Sequence, residues 1–129
     1  MGFPEELRYT KTHEWLKIDG DVATVGITAH AVELLGDLVF LDLPEPDATV
    51  TREERFAEIE STKAVEDIYS PVTGEVVEVN SAISDELENL KDSPYESGWM
   101  IKIRMSNPDE TTGLMTANDY QAHVDAEEH

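Results

Sequence analysis

The sequence predicts a mainly β protein in which two antiparallel sheets pack together as a sandwich or flattened barrel. Six or more short segments have the length and apolar pattern of strands, and turn residues separate them. The helical patterns are short and lie between strands and at the C-terminus. At 129 residues, with 40% hydrophobic residues, the chain has the size of one domain, so we expect residues 1–129 to form a single domain.

A hairpin and a short helix are expected in the first third of the chain. Residues 14–27 alternate between apolar and polar on both sides of Asp19-Gly20-Asp21, which is typical of a β-turn. Thr28 is a suitable helix N-cap, and Gly36 is a suitable helix end. The inward face of this helix would be formed by Ala31, Leu34 and Leu35.

Four strands are predicted in the middle of the chain. Residues 38–43 are mostly apolar and are followed by prolines, which do not continue a strand. Residues 55–61 and 67–72 are short strand patterns that flank a turn at 62–65. The alternation in residues 74–80 places Val77 and Val79 on one face and Val76 on the other.

A helix, a strand and a second helix complete the pattern. Residues 81–90 place apolar side chains at helical spacing, with Ser84 as a candidate cap. Residues 99–105 alternate as a strand with one buried face. The final helix is expected near 114–124, and residues 125–129 are expected to be a frayed tail.

The chain is strongly acidic, with a formal net charge of −20 and an isoelectric point near 4.2. Phosphate backbones and anionic membranes would be repelled, so we expect no nucleic acid and no membrane partner. Basic patches on partner proteins would be attracted, although solubility or a saline habitat also explains the acidity. The N-terminus resembles neither a secretory signal nor a transit peptide, so we expect a bacterial-type cytoplasmic protein; a mature mitochondrial form would look the same.

Residues that could catalyse a reaction are few. The chain has no cysteine and therefore no thiol nucleophile or thiolate ligand, and it has no recognisable nucleotide-binding or hydrolase motif. His13 and Glu14 are adjacent, so their side chains would diverge on a strand. His30 and Glu33 have the spacing of two metal ligands on a helix, but no third ligand is evident. We expect no catalytic and no metal site.

Lys63 is the only lysine or arginine between Phe56 and Leu90, and it falls at the predicted turn between two strands. Nearby carboxylates favour its charged form and nothing apolar surrounds it, so a Schiff-base or general-base role is not expected. Covalent modification by another enzyme is compatible with such a position. Charge and spacing alone leave this open and favour an ordinary surface lysine.

Several motifs, in order, resemble the H proteins of the glycine cleavage system. They are Y-T-K-x-H-E-W (from Tyr9), D-V-A-T-V-G-I-T (from Asp21), L-G-D-x-V-F (from Leu35), E-S-T-K-A (from Glu60), Y-S-P-V-x-G-E-V-V-E-V-N (from Tyr69) and S-P-Y-x-x-G-W-M-I-K-I (from Ser93). The match covers about residues 9–120, which would be the core of one lipoyl-carrier domain. The resemblance implies the hybrid barrel-sandwich fold of lipoyl and biotinyl domains, with short inserted helices and a C-terminal helix.

The resemblance also implies a function. Lys63 would carry lipoic acid as N6-lipoyllysine at a hairpin tip, in an attachment context formed by Glu60, Ser61, Thr62 and Ala64. The partners would be glycine decarboxylase, the aminomethyltransferase, dihydrolipoamide dehydrogenase and lipoate-attaching enzymes. The protein would be a non-catalytic carrier, shuttling the aminomethyl group from the decarboxylase to the transferase and electrons to the dehydrogenase.

Three further residues, Thr12, Glu14 and Asp67, fall where the family lines a cleft that shelters the charged arm. A carboxylate there suits a cationic amine. For Glu14 and Asp67, plain surface charge is the alternative.

The chain departs from the family pattern in three places. Residues 52–55 lack the glycine usual in that turn, Asp47-Ala48 stands where a glycine is common, and Glu66 stands where a small hydroxyl residue is common. These departures concern partner docking more than lipoylation.

Several alternatives to the cleavage carrier remain. One is an H-like relay that delivers lipoyl groups to 2-oxoacid dehydrogenase complexes. Others, from different classes, are a non-carrier acidic interaction module and a histidine-dependent enzyme. A biotin carrier is disfavoured because Thr62 and Ala64 flank the lysine where biotinyl domains have methionines.

Overall fold

The computed structural model of the protein describes residues 3–127. It contains two antiparallel sheets, as predicted. The larger sheet has the strand order β1-β2-β3-β9-β8-β5, and the smaller has the order β4-β6-β7. The strands are β1 (Arg8–Tyr9), β2 (Glu14–Asp19), β3 (Val22–Ile27), β4 (Leu38–Asp42), β5 (Thr49–Val50), β6 (Arg55–Ser61), β7 (Val65–Tyr69), β8 (Gly74–Val79) and β9 (Ile101–Met105). The helices are α1 (Ala29–Leu35), α2 (Ala82–Asp85), α3 (Glu88–Asp92) and α4 (Ala117–Glu127), with a 3-10 helix at Pro108–Gly113.

The predicted N-terminal hairpin is confirmed. β2 and β3 pair along their whole length, and Gly20 in the turn between them has a φ of 65°. Glycine adopts this left-handed conformation without steric cost. β3 also pairs with β9, so the strand predicted near the C-terminal end of the chain lies in the centre of the larger sheet.

The main core contains side chains from both sheets and is mostly aliphatic. The larger sheet contributes Leu16, Val25, Val76, Ile101 and Ile103, and the smaller contributes Leu41, Ile59 and Ile68. A second cluster lies beneath α4 and includes Leu7, Tyr9, Trp15, Ala117, Tyr120 and Val124. Within it the rings of Tyr9 and Tyr120 stack with centroids 4.8 Å apart. Removal of this apolar surface from water is the main favourable contribution to folding.

The predicted faces of β8 were wrong because the strand contains a bulge. The pairing with β9 shifts between Val76 and Glu78, so Val77 is an additional residue on its strand. Val76 and Val79 therefore both face the core, opposite Ile103 and Ile101, and Val77 is exposed. A bulge reverses the alternation beyond it, which the alternating pattern alone does not reveal.

The predicted ends of α1 are confirmed, but its predicted inward face was partly wrong. The Thr28 hydroxyl accepts a hydrogen bond from the N–H of Ala31, and Gly36 is the C-cap. The buried residues are Val32 and Leu35, whereas 58% of Leu34 is exposed. Leu34 lies about 200° around the helix from Val32, so the two side chains cannot share a face.

The single helix predicted at 81–90 is two short helices, α2 and α3. The chain leaves helical geometry at Glu86, which has φ −131° and ψ 62°. Ser84 is not a cap, because its hydroxyl donates to the carbonyl of Leu41 in β4 instead. Ile83 and Leu90 anchor the two helices in the core.

The final helix begins and ends later than predicted. A 3-10 helix precedes it, and α4 then continues to Glu127, so residues 125–127 of the predicted tail are helical. Residues 128–129 of the predicted tail lie outside the described range. Within residues 3–127, no helix has both the length and the apolar character needed to cross a membrane.

Candidate functional site

Lys63 lies at the tip of the β6–β7 hairpin. β6 ends at Ser61 and β7 begins at Val65, so the turn is Thr62-Lys63-Ala64, and its three residues are exposed. The predicted turn is thus present, although β7 begins two residues earlier than expected. β7 ends at Tyr69, shortly before Pro71, which has no N–H for strand pairing.

The side chain of Ser61 organises this turn. Its hydroxyl accepts hydrogen bonds from the N–H groups of Lys63 at 3.2 Å and Ala64 at 3.1 Å, and it donates to the carbonyl of Ala64 at 3.2 Å. The backbone N–H of Ser61 also donates to that carbonyl, at 2.8 Å. Since Ser61 is 6% exposed, these bonds are largely protected from water and hold the backbone of Lys63 in one conformation.

Two contacts connect the turn to the end of α1. The N–H of Thr62 donates to the carbonyl of Asp37 at 3.0 Å. The side chain of Lys63 passes over Gly36, where a methyl group would lie 3.5 Å from Lys63 Cε. Glu60, the remaining residue of the predicted attachment context, is exposed. It pairs with Val65 of β7 just before the turn.

A cavity of about 320 Å³ is lined by residues of the hairpin, α1 and the segment before β2. Thr12, Glu14 and Asp67 all line it, so the structure brings together the three residues predicted for a cleft. Their role toward an arm remains a prediction. Much of the remaining wall is apolar and comes from Ile27, Ala31, Leu34, Leu35, Ile59 and Ile68.

Glu14 is a buried acid at the base of this cavity, with 1% of its surface exposed. Its Oε1 accepts hydrogen bonds from the hydroxyl of Thr10, at 2.6 Å, and from the hydroxyl of Thr12. Its Oε2 accepts a hydrogen bond from the backbone N–H of Tyr69 at 3.2 Å. Burial raises the pKa of the Glu14 carboxyl to about 7, although these hydrogen bonds oppose the shift. Plain surface charge, the alternative considered for Glu14, is therefore wrong.

Asp67 lies at the rim of the cavity and its side chain is 43% exposed. Its carboxylate lies 3.8 Å from Nη1 of Arg55, which also contacts Glu58 at 3.4 Å. Such exposed pairs contribute little to stability. Asp67 therefore retains an accessible carboxylate at the mouth of the cavity, beside the exposed Glu66.

A second cavity, of about 570 Å³, shares Thr12, Glu14 and Tyr69 with the first as lining residues. Its wall includes Glu53, from the turn that lacks the family glycine. Glu53 has a φ of 70°, and Asp47, the other departure of this kind, has a φ of 73°. Both departures therefore place a side chain where the backbone geometry favours glycine.

The histidines are arranged differently from the sequence expectation. His30 does not pair with Glu33, which is exposed; its ring lies 4.9 Å from that of His13, and both rings approach Glu127. His13 Nδ1 lies 2.7 Å from the hydroxyl of Tyr120, and burial lowers the pKa of His13. No sequence signal connected Glu127 with these histidines, because about a hundred residues separate them.

Comparisons with known proteins agree with this geometry. Residues 7–127 match the family model described as glycine cleavage H-protein. The glycine cleavage system H protein of Synechococcus sp. (strain JA-3-3Ab) is 47% identical over 125 residues, covering 97% of this chain and 97% of that protein. The corresponding protein of Acaryochloris marina (strain MBIC 11017) is 49% identical over 123 residues, covering 95% and 96%.

A solved structure supports the same relationship. The crystal structure of a glycine cleavage system H protein from Mycobacterium marinum matches this fold with a TM-score of 0.88 at 40% identity, covering 95% of this chain and 99% of that one. The predicted hybrid barrel-sandwich fold is confirmed. The chain belongs to the glycine cleavage H-protein family.

Proposed function

We propose that this protein is a lipoyl carrier of glycine cleavage, with lipoic acid attached to Lys63 as N6-lipoyllysine. The observation that carries the proposal is the exposed position of Lys63 at the tip of a hairpin, in the motif E-S-T-K-A. In this role the chain has no catalytic activity of its own. It shuttles the aminomethyl group from glycine decarboxylase to the aminomethyltransferase, and electrons to dihydrolipoamide dehydrogenase, in the cytoplasm.

The preformed turn supports attachment at Lys63. A lipoate-attaching enzyme has to reach Nζ from outside, and the three turn residues are exposed. Their backbone is already held by Ser61 and by the bond from Thr62 to Asp37. Because the turn needs little further ordering when the enzyme binds, less conformational entropy is lost.

The dimensions around Lys63 suit a lipoyl group. A lysine side chain extended by this group reaches on the order of 14 Å from the backbone. Asp67 follows Lys63 by four residues, which corresponds to about 13 Å of extended chain. The cavity beside the hairpin combines aliphatic walls, which suit an alkyl chain, with the carboxyls of Glu14 and Asp67, which suit an amine. The dithiolane supplies the redox disulfide that this cysteine-free chain lacks.

Glu14 has the properties needed to receive a cationic amine in this cavity. Its pKa of about 7 means that the protonated and ionised forms are close in free energy near neutral pH. A positive charge nearby favours the ionised form, so the carboxyl would release its proton as the amine arrives. The hydroxyls of Thr10 and Thr12 and the N–H of Tyr69 hold the carboxylate oxygens in place without side-chain reorganisation.

Attachment is tested by the intact mass of protein purified from cells that contain the lipoate-attaching enzymes. We expect an increase of one lipoyl group, which is lost in Lys63→Arg. Lys91→Arg is the matched control, because Lys91 is also an exposed lysine and lies 3.4 Å from Asp37, the residue that accepts from the turn. An unmodified parent protein, or modification that persists in Lys63→Arg, would overturn the proposal.

The carrier role is tested by reconstituted exchange of glycine with bicarbonate in the presence of glycine decarboxylase. The lipoylated protein should support exchange, and the unlipoylated protein should not. If the lipoylated protein fails here but donates lipoyl groups to 2-oxoacid dehydrogenase complexes, it is the relay and not the carrier. If Lys63→Arg leaves exchange unchanged, an interaction module explains the data better.

A further inference from the structure

Two histidines and a glutamate from distant parts of the chain converge beside α4. His13 lies in the connection between β1 and β2, His30 lies in α1, and Glu127 lies in the last turn of α4. His13 Nε2 is 3.2 Å and His30 Nε2 is 3.7 Å from Glu127 Oε1. One ligand atom of each residue lies within 4.8 Å of the other two.

These separations approach those of a metal site. Zinc binds nitrogen and carboxylate oxygen at about 2.0–2.2 Å in tetrahedral geometry, so its ligand atoms lie about 3.4 Å from one another. The two histidine-to-carboxylate distances bracket that value. Two imidazoles and one carboxylate form a ligand set known from three-ligand zinc sites, in which a water completes the tetrahedron.

His30 provides an independent observation. Its side chain is 9% exposed, and its Nε2 is buried without a hydrogen-bond partner among residues 3–127. A buried polar atom without a partner costs on the order of 1–3 kcal/mol. Because this nitrogen is directed at Glu127 and His13, a cation bound between the three residues would satisfy it.

The neighbouring hydrogen bonds orient the other two ligands. His13 Nδ1 lies 2.7 Å from the Tyr120 hydroxyl, which in turn lies 2.7 Å from the Thr28 hydroxyl. With its proton on Nδ1, His13 donates to Tyr120 and presents the lone pair of Nε2 to the cluster. His123 Nε2 lies 2.8 Å from Glu127 Oε2, so the imidazole can hold the carboxylate while Oε1 faces the histidines.

We propose that His13, His30 and Glu127 form a binding site for a divalent transition metal, with Zn²⁺ as the expected ion. The nitrogen ligands favour Zn²⁺ over Mg²⁺ and Ca²⁺, which prefer all-oxygen sites. A bound ion connects the C-terminal turn of α4 to α1 and to the segment before β2. None of its ligands belongs to the Lys63 hairpin, although His13 also lines the cavity beside that hairpin.

The test is a Zn²⁺ titration of the full-length, unlipoylated protein after metal removal, in competition with a chromophoric chelator. We expect one Zn²⁺ per chain with a Kd in the micromolar range or tighter. His30→Gln and Glu127→Gln should each weaken binding at least tenfold, an order typical of lost metal-site interactions. Glu33→Gln is the matched control, because Glu33 is an exposed acid on the same helix as His30 and should leave the Kd unchanged.

The parent protein offers a second measurement that does not depend on how the variants fold. Zn²⁺ should shift the imidazole resonances of His13 and His30 in NMR spectra at one equivalent, and millimolar Mg²⁺ should not. Addition of Zn²⁺ should raise the melting temperature of the parent protein and of Glu33→Gln. It should not raise the melting temperature of His30→Gln or Glu127→Gln. Absence of one-to-one binding, the same Kd in His30→Gln as in the parent, or resonances of His13 and His30 that do not move would each overturn the proposal.

Discussion

The carboxylate of Glu14 in β2 accepts a hydrogen bond from the backbone N–H of Tyr69 in β7, at 3.2 Å. This bond joins the larger sheet to the smaller one, at the boundary between the two cavities. β7 is an edge strand of the smaller sheet, and its last residue, Tyr69, directs its N–H to Glu14 and not to a neighbouring strand. One buried acid thereby satisfies a free backbone group and gives the cavity its polar base.

The first prediction concerns the pH dependence of stability. The unfolded chain releases the Glu14 proton near pH 4.5, and the folded chain keeps it until about pH 7. Between these values the folded state binds more protons, so the free energy of unfolding falls as the pH rises, by on the order of 2–3 kcal/mol, and this contribution levels off above about pH 8. Glu14→Gln cannot ionise and should lose this dependence, as measured by urea denaturation from pH 4.5 to 8.

Glu66→Gln is the control for that experiment, because Glu66 is an exposed acid in the same cavity. Its difference in unfolding free energy from the parent should be nearly constant with pH. If the free energy of unfolding of Glu14→Gln changes with pH in the same way as that of the parent, the Glu14 carboxyl does not titrate as inferred.

The second prediction concerns the turn that carries Lys63. Ser61→Ala removes the acceptor of two N–H groups and should destabilise the hairpin tip by about 1–2 kcal/mol. The amides of Lys63 and Ala64 should then exchange hydrogen faster, and lipoyl attachment should slow by about fivefold or more as the ordered turn becomes less populated. Amide exchange by NMR and attachment followed by mass spectrometry provide the two measurements.

Ser70→Ala separates a local effect from a general loss of stability. Ser70 is 1% exposed, and its hydroxyl donates to the carbonyl of Val72, away from the hairpin tip. This substitution should lower global stability by a similar amount and leave attachment at Lys63 unchanged. Equal slowing of attachment in both variants would mean that Ser61 acts only through overall stability.

The third prediction concerns the close approach of β8 and β9. A methyl group at Gly74 would overlap the carbonyl oxygen of Arg104, so the strands must separate to admit it. Gly74→Ala should destabilise the protein by about 3 kcal/mol or more. At Gly113 the nearest atom to such a methyl group is the end of the flexible Arg52 side chain, at 3.7 Å, so Gly113→Ala should change stability little. Urea denaturation of both variants checks this; equal losses would show that strand spacing is not the cause.

The fourth prediction concerns a turn that departs from the family. Glu53 has a φ of 70°, which is unfavourable for a residue with a side chain. Glu53→Gly should raise the free energy of unfolding by about 0.5–1 kcal/mol, because relief of the strain exceeds the added chain entropy. Glu54→Gly, at the next exposed position, should lower it by a similar amount. A change of the same sign in both variants contradicts this explanation.

Local signals account for the predictions that the structure confirmed. Thr28 and Gly36 limit α1 through hydrogen bonds and backbone conformation within a few residues. The Gly20 turn and the turn that contains Lys63 follow from short-range patterns in the same way. Where the outcome depended on a partner strand, prediction was weaker: the bulge at Val77 exists only relative to β9, and Leu34 is exposed because packing selects a different face of the helix.

The sequence by itself determined the fold class, the position of Lys63 in a turn and, through its ordered motifs, the family. Only the tertiary structure decided that Glu14 is buried with its pKa near 7, and that His13, His30 and Glu127 share one cluster. The reason is physical. A cap or a turn depends on bonds within a few residues, whereas the environment of a charge depends on which distant strands and helices exclude water around it.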